Sequence, residues 1–173
     1  MQKTVLTFGL LSGAVAAILM WATLPFLENI GYDRAAIVGY TGIVASFLFV
    51  YFGVRSYRDN VAGGTLTFGK AFGIGLLITL ISCVCYVISW EVMYFKMMPD
   101  FAEKFAARQI QELRASGATQ AAIDAMTKRM ADFKTMYENP FMNAAMTFTE
   151  PFPVGLLMTL ISAAVLKRKK ATV

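Results

Sequence analysis

The chain has 173 residues, of which 57% are hydrophobic and 16% charged, with a mean hydropathy of +0.57; that balance excludes an ordinary water-soluble domain. It contains no histidine, which removes Ser-His-Asp, Cys-His and His-metal chemistry together. The formal net charge of +5 would point to nucleic acid in a soluble protein, but here the basic residues flank apolar runs.

Four charge-free runs, Thr4–Leu27, Ala35–Val54, Ala71–Trp90 and Pro151–Leu166, are 24, 20, 20 and 16 residues long. About 20 residues at ~1.5 Å each cross a ~30 Å hydrocarbon core. The expectation is an all-α integral membrane domain over 1–173 with four transmembrane helices at about 4–27, 35–54, 71–95 and 151–166. The last run is short, and an apolar stretch, Phe141–Phe148, precedes it across Thr149 and Glu150. That stretch is expected to feed the fourth span as an interfacial or re-entrant segment. Met1-Gln2-Lys3 and Ala14-Val15-Ala16 mimic a signal peptide, yet the apolar run continues to Leu27, so a retained span is favoured. Cys83 and Cys85 sit two residues apart on a helix and point about 200° from each other. They cannot bond to each other and read as small apolar fillers.

Charge asymmetry gives an orientation. Lys3, the second connector (Arg55, Arg58, Asp59, Lys70) and the tail Lys167-Arg168-Lys169-Lys170 sum to +7. The first connector (Glu28, Asp33, Arg34) and the stretch from Glu91 to Glu150 are each −1. Both termini are therefore expected in the cytoplasm. The basic set Arg55, Arg58, Lys70, Lys167, Arg168, Lys169 and Lys170 reads as contacts to anionic lipid headgroups, with no nucleic-acid partner.

Between the third and fourth spans, residues 97–140 carry two helical patterns and are expected to form an extracytoplasmic amphipathic hairpin. Pro99-Asp100-Phe101 opens the first helix and Gly117 closes it. Phe101, Ala102, Phe105, Ala106, Ile110 and Leu113 share one half of the helical wheel, with Lys104, Arg108, Gln111 and Arg114 opposite. Thr119 caps the second helix, where Ile123, Met126, Met130, Phe133 and Tyr137 cluster, and Asn139-Pro140 stops it. The apolar faces can meet each other, lie on the membrane or receive a partner, and closure of the hairpin on itself or on the bundle is the simplest arrangement.

Motifs with chemistry are sparse. Gly63-Gly64 and Lys70 invite comparison with a phosphate-cradling loop, but Walker spacing is missing and a tight reversal into the bilayer suffices. Small residues recur every four positions: Gly9, Gly13 and Ala17; Gly42 and Ser46; Gly69 and Gly73, or Ala71 and Gly75; Gly155, Thr159 and Ala163. They allow close helix approach within the chain, or in a homodimer through the first span. Gly75, Thr79, Ser82, Tyr86 and Ser89 form a polar seam of the kind that stitches a bundle. Gly75-Leu-Leu-Ile-Thr-Leu-Ile-Ser82 recurs as Gly155-Leu-Leu-Met-Thr-Leu-Ile-Ser162, and Leu6-Thr-Phe-Gly9 as Leu66-Thr-Phe-Gly69. The two offsets disagree, so both read as membrane-helix low complexity, with duplication as the alternative.

Glu91 and Glu150 border the third and fourth spans on the expected outer side, Glu150 as the residue that caps a helix begun by Pro151. Carboxylates there can serve helix termini or headgroups; paired, they form a candidate outer-side polar site for a proton or cation. Met93, Met97, Met98, Met126, Met130, Met142 and Met146 raise a soft-metal site, against which apolar filling is the simpler use. No catalytic residue, metal or cofactor is expected.

The string Tyr57-Arg58-Asp59, Gly63-Gly64-Thr65-Leu66-Thr67-Phe68-Gly69-Lys70-Ala71-Phe72, the following Gly75-Leu76-Leu77-Ile78-Thr79, Pro99-Asp100-Phe101 and the four-span layout resemble the domain-of-unknown-function 4199 family of bacterial membrane proteins. The resemblance implies a multi-pass protein of the bacterial inner membrane and supplies no reaction. The resulting expectation is a non-enzymatic scaffold or accessory protein. Its partners would be membrane lipids and either another membrane protein or itself as a homo-oligomer. The alternative is a small oligomeric transporter or proton-coupled carrier using Glu91 and Glu150.

Overall fold

A computed structural model of the chain describes residues 1–23 and 27–168, with backbone alone for 27–33 and 35. The described residues form seven helices and no strand: α1 (Gln2–Thr23), α2 (Leu27–Asn60), α3 (Phe68–Met97), α4 (Phe101–Ala115), α5 (Gln120–Glu138), α6 (Pro140–Phe148) and α7 (Pro151–Leu166). Four stretches are long and apolar enough to cross a membrane: Gln2–Thr23, Ala36–Asn60, Phe68–Met97, and Pro140–Leu166, which joins α6 to α7.

Helix ends depart from the charge-free runs. α1 is described as far as Thr23, and the expected end of the first span at Leu27 falls beyond it, across residues outside the described ones. Residues 28–34, expected as a connector, belong to α2. At its other end α2 continues past Val54 to Asn60, and in this charged last stretch Arg55 and Arg58 both engage Asp59. α3 begins three residues before Ala71, where the Thr67 hydroxyl accepts the Lys70 N–H at 3.4 Å as an N-cap.

The chain divides into two compact units, Met1–Val87 with Phe148–Val173, and Ile88–Thr147. In the first, α1 and the start of α3 run parallel, and α2 and α7 run opposite to both. The core gathers Val5, Ile43, Phe47, Val50, Val54, Tyr57, Ile74 and Ile78. Close approach rests on small residues. A Cβ on Gly9 would strike Ile81 and one on Gly13 would strike Cys85, while one on Gly155 would overlap Thr79 and Phe47. Gly69 and Gly73 meet nothing within 4 Å, so the working small pair of α3 is Ala71, fully buried, with Gly75.

Hydroxyls close these contacts. Ser12 donates to the Ser46 carbonyl at 2.9 Å and lies 2.9 Å from the Ser82 hydroxyl. Thr79 donates to the Gly155 carbonyl at 3.2 Å and pairs with Thr159 at 3.0 Å. The repeated octapeptides are thus each other's partners. Gly75 faces Thr159 and Gly155 faces Thr79, a local two-fold between antiparallel helices that requires equivalent residues on both. Low complexity is an incomplete description of them.

In the second unit α4 and α5 pack antiparallel, as the apolar periodicity requires. Ala102, Tyr94 and Tyr137 are buried with Trp90, Phe101, Phe133 and Met146 around them. Tyr94 meets Tyr137 edge-on at 5.2 Å and Phe105 lies 5.6 Å from Phe133, distances at which aromatic pairs add stability beyond area. Lys134 reaches Glu103 across the pair at 3.3 Å. Gly117, at φ 75°, ends the first helix turn, and Thr119 caps α5 by accepting the Ala122 N–H. Asn139 both follows α5 and caps α6, accepting the Phe141 and Met142 N–H groups at 3.0 and 3.3 Å. Met93 is buried, whereas Met97 and Met142 are exposed.

Candidate functional site

Chain direction sets which side chains share an end of the first unit. The start of α1, the end of α2, the start of α3 and the end of α7 lie together, and with them Lys3, Arg55, Arg58, Lys70, Lys167 and Arg168. Lys169 and Lys170 lie outside the described residues. The candidate headgroup contacts are therefore gathered at one end, but they are not equivalent. Arg58 holds Asp59 with two bonds, at 2.7 and 3.2 Å, and Arg55 approaches the same carboxylate at 3.6 Å. Lys167 is exposed at the end of α7.

Lys70 and Arg168 instead converge on one cleft of about 490 Å³ at the α2–α3 turn. The turn is built by Gly63 and Gly64, at φ 63° and 82°, conformations that glycine adopts without Cβ strain. Beyond it Leu66 and Arg168 exchange backbone hydrogen bonds of 3.0 and 2.8 Å, tying the segment after α7 to the segment before α3. Leu66 is buried beneath this pairing. Tyr57, also buried, forms an aromatic wall with the Lys70 ammonium 5.7 Å from its ring centre, a cation–π distance. Thr65 and Thr67 complete the rim, and the described lining holds no carboxylate.

The carboxylate candidates fall in different units. Glu150 occupies the position before Pro151, but its side chain makes no cap bond. It accepts the Tyr86 hydroxyl at 3.2 Å instead, because Glu150 has helical dihedrals and so lacks the extended backbone that turns a cap side chain onto the following amides. Glu91 lies in the second unit, and its Oε1 is buried with no hydrogen-bond partner among the described residues. Tyr86 was visible in sequence as part of the α3 seam, one step beyond Thr79 and Ser82; its partner was not. The Leu66–Arg168 pairing had no sequence signal at all, since it joins the α2–α3 connector to the segment after α7, about a hundred residues away.

Among the described residues, four membrane-length apolar helical stretches and no strand mark a multi-pass membrane protein. The chain belongs to the family described as Protein of unknown function (DUF4199), whose profile matches residues 7–168. No curated protein and no solved structure matches it.

Proposed function

We propose that the protein is a non-enzymatic scaffold or accessory component of the bacterial inner membrane, acting through helix–helix and lipid contacts. Both termini and the α2–α3 turn face the cytoplasm, and the α4–α5 hairpin faces outward. The observation that carries this reading is the distribution of side chains in the first unit. Ser12, Ser46, Thr79, Ser82, Thr159 and Ser162 are buried, while Leu6, Leu10, Ile18, Leu48, Leu157 and Val165 are exposed. A soluble bundle has the opposite arrangement; in lipid, small and hydroxyl residues join helices and large apolar ones meet acyl chains. The interior hydroxyls are already engaged, with one another or with backbone carbonyls, so the bundle's interior is committed to holding its shape. Its outer faces and its basic end remain for lipids, another membrane protein or a second copy. Affinity purification from native membrane, with co-purifying proteins and lipids identified, tests this. A stoichiometric protein partner or a defined lipid complement is the expected result; the absence of both contradicts it.

The second reading is a proton-coupled carrier, supported by the Tyr86–Glu150 bond and by the unpartnered Glu91 oxygen. Under the scaffold reading Glu91→Gln and Glu150→Gln leave the protein folded and the host's phenotype unchanged. Loss of proton-driven uptake in vesicles bearing these variants would favour the carrier.

A further inference from the structure

We infer that the cleft at the α2–α3 turn is a binding site for a phosphate group, carried by a lipid headgroup or free in solution. Two cations from distant parts of the chain, Lys70 and Arg168, line one cavity whose described wall holds no carboxylate. The nearby acid, Asp59, is already engaged by Arg55 and Arg58. Arg168 is held at its backbone by both hydrogen bonds to Leu66, so its guanidinium stem starts from a fixed point and less freedom is lost on binding. Guanidinium offers phosphate a planar pair of donors, and the ammonium adds a movable point charge. Thr67 accepts the Lys70 N–H, leaving its O–H to donate to a third phosphate oxygen. The volume of about 490 Å³ lies within the usual range for small-molecule sites and exceeds what phosphate alone fills. The lipid source rests on the membrane reading above; the phosphate chemistry does not.

The test is calorimetric titration of the full chain in detergent micelles with dihexanoyl phosphatidic acid, with dihexanoyl glycerol, and with inorganic phosphate. Phosphatidic acid binds and the phosphate-free glyceride does not. Binding weakens about tenfold or more in Lys70→Gln/Arg168→Gln, survives within a few-fold in Lys70→Arg/Arg168→Lys, and is unchanged in Lys104→Gln on α4. Inorganic phosphate that binds as well as the lipid assigns the site to free phosphate; phosphate that binds far more weakly assigns it to a headgroup. Equal binding by the wild type and the double Gln variant, or no binding of either phosphate compound by the wild type, overturns the site. Arg168→Gln alone leaves the backbone pairing intact, so the comparison stands even where the double variant does not fold. A chain that co-purifies with lipid yet binds phosphatidic acid equally in both forms loses this site and keeps the scaffold reading. A chain that binds phosphate but does not partition into membranes does the reverse.

Discussion

Thr79 shows how much one hydroxyl does in this bundle. It donates to the Gly155 carbonyl and pairs with Thr159. Thr79→Val keeps the shape and removes both bonds, and interhelical hydrogen bonds in membranes contribute about 0.6 to 1.7 kcal/mol. We expect a loss in that range, read from thermal unfolding in micelles. The glycine opposite it is less forgiving. Gly155→Ala places a methyl group against the Thr79 side chain and the Phe47 ring, and overpacking of that kind costs about 1–3 kcal/mol. Gly73→Ala meets open space and is neutral or slightly stabilising through helix propensity; a similar loss in both variants contradicts the packing described. Outside the spans, the Lys104 ammonium 2.8 Å away holds the Asp100 carboxyl below the ordinary aspartate value of 3.8. A depressed carboxyl stabilises the fold above its ordinary value and loses that effect as the pH falls through its lowered one. Amide protection at the start of α4, taken relative to the intrinsic exchange rate at each pH, therefore falls slightly below about pH 4, and Lys104→Met reduces the dependence.

At the scale of elements, the sequence was most legible where period and punctuation agreed. Ile123, Met126, Met130, Phe133 and Tyr137 recur at helical spacing, and each is buried or half-buried in α5; of the charged residues read as facing away, Asp124, Lys128 and Asp132 are exposed, while Lys134 is half-buried and reaches Glu103. Thr119 and Gly117 mark the hairpin turn in both sequence and structure. Charge-free runs were poorer guides to helix ends, because a helix can continue through charged residues beyond its apolar stretch, as α2 does through Arg55, Arg58 and Asp59. Long-range relations were not legible. The octapeptide repeat was readable as a string, but that its copies face each other depends on helix register in three dimensions. The cleft was half legible: its cations are visible, their convergence is not. The hairpin closes on itself through Tyr137, so Tyr137→Ala opens a cavity among Tyr94, Phe101 and Phe133 at a cost of about 3 kcal/mol. Hydrogen exchange then quickens across α4 and α5 and leaves α1, α2 and α7 protected; an unchanged hairpin contradicts the aromatic core.

For the whole molecule, the proposed orientation rests on how the net charge is distributed. In sequence the +5 of the chain divides into a basic set at Lys3, the α2–α3 turn and Lys167–Lys170, and weakly acidic stretches at residues 28–34 of α2 and from Glu91 to Glu150, a bias that supports the proposed orientation. The same basic set supplies Lys70 and Arg168 to the cleft, so the proposed orientation and the ligand site are two consequences of one charge distribution. The measurement that tests this most directly is a pair of reporter fusions in the host membrane, after Ser116 in the α4–α5 turn and after Asn60 at the end of α2. An enzyme active only outside the cytoplasm is predicted to report after Ser116 and to stay silent after Asn60. A silent reporter after Ser116, with activity after Asn60, contradicts the account.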